Sequence, residues 1–149
     1  MNPIIEKTQQ ALLAKSDPRL KPAIMRAVEA GKTVMFSPQS RRMFLDALKE
    51  ATDPHAIGSG VAKLMALLIH KSGGKMPPQV AVPAALLLLC EVLQFMEDAG
   101  DLKVDANLMA QCTSSTGSAM LQALGVTPEK LQALKAKQGG IVSNAMGAA

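Results

Sequence analysis

The sequence predicts an all-α protein, a compact bundle of about six or seven helices around one apolar helix at about residues 80–99. Three observations predict it. The first is composition: 48% of the 149 residues are hydrophobic, with ten Met, three Phe and no Trp or Tyr. Leu, Ala and Met must therefore fill the core, and straight-chain residues lose little rotamer freedom in a helix. The second is a set of five prolines that each follow a capping residue: Asn2-Pro3, Asp17-Pro18, Ser37-Pro38, Asp53-Pro54 and Thr127-Pro128. A polar N-cap satisfies an orphan N–H, and Pro in the first turn gives up a donor that has no partner, so each pair reads as a helix start. The third is the stretch Gln79 to Gly100, in which Ala84 to Met96 holds only Glu91 and Gln94 as polar side chains. Those two and Asp98 form one stripe on a helix surface, and a helix apolar around the rest of its girth is surrounded by other elements.

Taken in order, Pro3 to about Lys15 is a weakly amphipathic helix through Ile4, Ile5, Ala11 and Leu12. The next helix carries Leu20, Ala23, Ile24, Ala27 and Val28 on one face, begins near Pro22 after a turn over Asp17 to Lys21, and ends at Gly31. Thr33 to Phe36 is a short extended link. Ser37-Pro38 opens a helix with Met43, Phe44, Ala47, Leu48 and Ala51 on its apolar face. Asp53-Pro54 opens the next, to about Lys71, where Gly58 and Gly60 point to the close approach of another backbone. Ser72 to Gly74 caps it, and the rigid connector with Pro77-Pro78 leads to the apolar helix, which either starts near Val82 or kinks at Pro83. Asp105 caps a short helix through about Cys112; TSSTGS at Thr113 to Ser118 is a polar break or a frayed turn in a longer helix. Met120 to Leu124 resumes, and Thr127-Pro128 opens a last helix to about Gln138. Residues 1–138 form one domain, followed by a small-residue tail at 139–149, with no internal repeat.

Charge is unevenly spread. Residues 1–75 hold twelve Lys and Arg against six Asp and Glu; residues 76–149 hold four against six. One end suits an acidic partner, protein or nucleic acid. Two cysteines, Cys90 and Cys112, fit buried reduced thiols of a cytoplasmic protein, and no secretory signal opens the chain.

Motifs that carry chemistry are scarce, which points away from an enzyme. Gly31-Lys32-Thr33 has Arg26 where a phosphate loop requires its first glycine. His55 and His70 stand 15 residues apart with no ligand spacing, in the first and last turns of one helix. Glu97, Asp98, Asp101 and Asp105 lack the alternating ligands, central Gly and closing Glu of a calcium loop. Cys90 lies in an apolar run that raises its pKa and makes it inert. No catalytic residue, metal site or cofactor is expected.

Met120 to Lys137 resembles a helix-turn-helix, with Gly125-Val126-Thr127 as the turn and Lys130, Lys135 and Lys137 on the second helix. Leu121 stands where that family has a small Ala, and Pro128 and Glu129 open the would-be recognition helix, where base-reading donors are wanted. A membrane-inserting hairpin is a further alternative: Val61 to Ile69 and Val80 to Met96 flank a basic loop, but neither half reaches the ~20 apolar residues of a span. No stable transmembrane segment is expected.

In composition and helix pattern the whole chain resembles the short, helical, motif-poor structural proteins of tailed-bacteriophage virions. The resemblance implies a virion component of tail, neck or ejected type, or an assembly factor, that packs against copies of itself and other structural proteins. Candidate interface residues are the charged Arg41, Arg42, Glu97, Asp98 and Asp101, with Ile141, Val142 and Met146 of the tail, which would not order alone.

Overall fold

The protein is described by a computed structural model over residues 2–38, 53–100 and 102–125. Among the described residues there are five helices and no strand: α1 Pro3–Lys15, α2 Lys21–Phe36, α3 Pro54–Lys71, α4 Pro78–Asp98 and α5 Ala106–Ala123. The expected helices after Ser37-Pro38 and Thr127-Pro128, the 139–149 tail and the domain boundary at 138 lie outside the described residues.

Two of the capped prolines start helices as their chemistry dictates. The Asn2 side chain accepts the Ile4 N–H at 2.8 Å, and the Asp53 carboxylate accepts the His55 N–H at 3.2 Å. Asp105 caps α5 in the same way, accepting from the Leu108 N–H at 2.7 Å. Asp17-Pro18 instead opens a turn, in which Asp17 accepts the Arg19 N–H and α2 begins at Lys21, ahead of Pro22. That placement keeps Pro22 in the first turn, where its missing N–H costs nothing.

One expectation about where helices break needs correction, and two open alternatives are decided. α2 does not end at Gly31, and residues 33–36 are helical. Its buried series Ile24, Ala27, Val28, Gly31 and Met35 continues the helical period, and the helix stops only at Ser37, whose extended backbone is what the following Pro38 demands. Gly31 serves packing: a Cβ there would lie 2.5 Å from Leu88 Cδ1. Of the two alternatives for Thr113–Ser118, the structure has the longer helix and not the break. Cys112, Thr116 and Met120 recur every four residues and are fully buried, so packing overrides the weak propensity of the Ser and Thr residues around them. Thr113 Oγ1 bonds back to the Met109 carbonyl at 2.7 Å within the unbroken helix. Finally, α4 starts at Pro78 and passes through Pro83. Pro78 takes the first-turn role, which leaves Pro83 less than two turns inside.

The order of residues along facing helices sets their directions. Gly31 meets Leu88 and the Phe36 ring lies 5.9 Å from Phe95, so α2 runs parallel to α4. Asn2 reaches Gln94 and Glu97 while Gln9 reaches Glu91, so α1 is antiparallel to α4. The short connector after Lys71 turns α3 antiparallel to α4 as well. Among the described helices the α3–α5 contact is the most extensive, with the Ser115–Thr116 backbone against Gly58. A Cβ on Gly58 would stand 2.7 Å from Thr116 N, whereas one on Gly60 would meet nothing within 4 Å. The close approach expected at both glycines exists only at Gly58.

α4 packs against each of the other four helices, most extensively against α2. Leu88 and Leu89 are fully buried, Leu87 is buried and Leu86 half-buried. Among the described residues α4 is the one helix long and apolar enough to cross a membrane, and most of it is buried among its neighbours, which is consistent with the expectation of no stable transmembrane segment.

Candidate interaction site

The alternation of helix directions gathers charge at the two ends of α4, about 30 Å apart at 1.5 Å per residue. At one end lie the N-termini of α1, α3 and α5, with Asp53 and Asp105 as caps, together with the C-terminus of α4, with Glu97 and Asp98. Lys103 is the exposed basic exception there. At the other end lie Arg19 and Lys21 before and at the start of α2, His70 and Lys71 in the last turn of α3, and Lys75 ahead of α4, with Asp17, ion-paired to Arg19 at 3.2 Å, as the acidic exception there. Asp53 and Asp105 at N-termini and Lys71 at a C-terminus complement the helix dipoles, whereas Glu97 and Asp98 at the C-terminus of α4 and Arg19, Lys21 and Lys75 at or just ahead of N-termini oppose them. Among the described residues charge is thus divided between the two ends of α4, and the division does not follow the two halves of the sequence, since Asp53 of the basic half stands at the acidic end.

The basic end carries a cleft of about 810 Å³ between α2, the end of α3 and the start of α4. Ala23, Ala27, Ala30 and Val34 of α2 face Leu68, Met76 and Val80 across it, and Arg26, Lys71 and Lys75 stand on its rim. No carboxylate is among the described residues that line it. An apolar floor wants an apolar occupant, and the rim adds attraction for negative charge. Periodicity places Ala23 and Ala27 on α2's apolar face but does not reveal the cleft; a signal was available in the small residues Ala23, Ala27 and Ala30 beside Arg26, since alanines leave a trough where longer side chains would fill it.

At the acidic end the stripe Glu91, Gln94 and Asp98 is the seat of α1. Gln9 Nε2 donates to Glu91 at 3.4 Å, the Asn2 N–H donates to Gln94 Oε1 at 2.9 Å, and Gln94 Nε2 donates to Asp98 at 2.8 Å. Glu97 turns inward: its Oε2 accepts from Asn2 Nδ2 at 2.7 Å and from the Val104 N–H at 2.8 Å. Asn2 Nδ2 also donates to the Val104 carbonyl at 2.9 Å, so the start of α1 is tied to the α4–α5 connection. Replacing Glu97 by alanine strands two donors and is expected to cost about 1–3 kcal/mol in urea unfolding, with less lost in Glu97→Gln, which keeps an acceptor. Asp98 is exposed beside Phe95, and Phe36, packed on Phe95, is 41% exposed.

Of the sequence-predicted interface residues, Glu97 and Asp98 are therefore neighbours with different roles, one engaged within the chain and one at the surface. Arg41, Arg42, Asp101, Ile141, Val142 and Met146 lie outside the described residues, as do Lys130, Lys135 and Lys137 of the helix-turn-helix alternative.

Both cysteines are buried. Burial, with the Glu91 charge second, pushes the Cys90 thiol up to about 12, and burial, with Asp53 second, pushes Cys112 up to about 11. A folded-state pKa above the ordinary 9.0 favours the protonated, folded form. The resulting stabilisation is complete below pH 9 and is lost as pH climbs towards 11 and 12. Neither thiol is expected to react with an alkylating reagent at neutral pH until denaturant is added, and the thermal midpoint is expected to fall on titration from pH 8 to 11.

A second, shallower depression of about 470 Å³ lies between Asp53 to His55 and Ala110 to Ser115. Among the described residues no three His, Cys, Asp or Glu side chains come together as a metal site would need. No protein-family model, curated protein or solved structure matches the chain.

Proposed function

We propose that this chain is a structural or assembly protein that acts through protein–protein contacts, of the kind its resemblance to virion components implies, and that it works in the cytoplasm of the producing cell or in the virion. The single observation that carries this reading is the open apolar cleft with a cationic rim at one end of a charge-polarised body. Such a surface gains by covering the alanine and leucine floor, and the rim selects for orientation. In this reading the bundle has six or seven helices, with residues 38–51 and 128–138 supplying further helices around α4.

Light scattering across a concentration series tests the reading. The weight-average mass is expected to rise above the 15.6 kDa of one chain as concentration increases. Nucleic-acid binding is the second reading, favoured by the cluster of Lys21, Arg26, Lys71 and Lys75 at one end, where Arg19 is paired with Asp17. A chain that stays monomeric and retards a DNA fragment at low salt, with retardation abolished as salt rises, replaces assembly by DNA binding.

A further inference from the structure

The reading above leaves open what fills the cleft, and three observations converge on one occupant. The cleft accepts an apolar group and has only cations on its described rim: Arg26, Lys71 and Lys75. Two residues beyond Val34, where the α2 wall of the cleft ends, and on another face, the same body offers an exposed aromatic ring, Phe36, packed on Phe95 at 5.9 Å, with the exposed carboxylate of Asp98 one turn beyond Phe95. On α2 the cleft-lining stripe Ala23, Ala27, Ala30 and Val34 lies on a different face from Phe36, well over 90° around the axis at 100° per residue. The two surfaces therefore do not overlap, and one molecule can use both at once.

We infer that the occupant is a second copy of this chain, bound head to tail: Phe36 of one protomer enters the cleft of the next, and Asp98 meets the Arg26, Lys71 and Lys75 rim. This rests on the assembly reading and specifies it. A knob and a socket on different surfaces make a heterologous contact, which propagates into rings or filaments and does not stop at a two-fold dimer. One aromatic anchor in a cleft of this size is a small interface, so the contact is weak and its population depends on concentration. Because opposite charges frame it, added salt weakens it.

The test uses two surface variants of the full-length chain. Ala30→Arg blocks the socket at an exposed position with a good helix former. Phe36→Lys removes the knob, and a cation in the last turn of α2 suits the helix dipole. Sedimentation velocity from roughly 10 μM to 1 mM is expected to show wild type growing into species larger than a dimer, and each variant remaining monomeric. An equimolar mixture of the two variants is expected to form a dimer and nothing larger, because the intact knob of Ala30→Arg fits the intact socket of Phe36→Lys and the remaining ends are blocked. Helical circular dichroism checks that both variants fold. Should either fail that check, Lys75→Glu in the exposed connector weakens assembly, and Asp98→Lys in the same chain restores it.

Wild type that assembles while the variants assemble equally well overturns the head-to-tail contact and leaves the assembly reading standing. Variants that lose assembly but do not complement each other show a self-facing contact, which also overturns it. Wild type that remains a monomer throughout overturns both.

Discussion

Leu88→Ala is expected to destabilise the protein by about 2–5 kcal/mol in urea unfolding. Leu88 is fully buried at the contact between α4 and α2, and its two methyl groups fill the space left by Gly31. That arrangement makes a second outcome specific to this fold. A methyl added as Gly31→Ala would meet Leu88 Cδ1 at 2.5 Å and Cδ2 at 2.8 Å, so in wild type the side chain must turn away. With Leu88 truncated, the same methyl enters the vacated space and restores helix propensity. Gly31→Ala is thus expected to destabilise wild type and to stabilise Leu88→Ala, a sign change that a double-mutant cycle reads directly. Additive effects would show that the two residues do not pack against each other.

Gly58→Ala is expected to lower stability by about 1–3 kcal/mol, although Gly-to-Ala in a helix normally raises it. The new methyl would stand 2.7 Å from Thr116 N and 2.8 Å from the Ser115 carbonyl carbon, and backbone cannot rotate out of its way. α3 and α5 must separate, in the most extensive contact among the described helices. Gly60, two residues on in the same helix, is the control: its Cβ would meet no atom within 4 Å, and Gly60→Ala is expected to stabilise by about 0.5–1 kcal/mol. Thermal melts of the two variants should move in opposite directions. If both rise, the α3–α5 backbone approach is wrong.

Much of the architecture is legible one residue at a time. Asn2, Asp53 and Asp105 mark helix starts because a side-chain oxygen at an N-cap acts on its own next two or three residues and needs no partner elsewhere. The run Ala84 to Met96 announces burial because few polar side chains interrupt it. The failures share one cause. Gly31 reads as a stop and Thr113–Ser118 as a break or a frayed turn when only local propensity is weighed, and in both places a neighbouring helix outweighs it. Glycine is ambiguous in a sequence: it can end a helix or admit another chain, and only the neighbour decides which.

The candidate site was less legible for the same reason. Its charges are visible in the sequence as a basic first half and a mildly acidic second half, but their positions depend on the directions of five helices. Antiparallel α1 and α3 carry their N-termini to the end of α4 where Glu97 and Asp98 lie, and parallel α2 brings Arg26 beside Lys71 and Lys75. By itself the sequence determined the helical class, several of the helix starts, the burial of the 84–96 run and the raised pKa of its thiol, all consequences of local chemistry or hydrophobicity. The tertiary structure alone decided that Gly31 and Gly58 are packing surfaces, that Glu97 faces inward, and that three alanines and three cations form one cleft. These depend on contacts between residues far apart in the chain, whose energies no local pattern encodes.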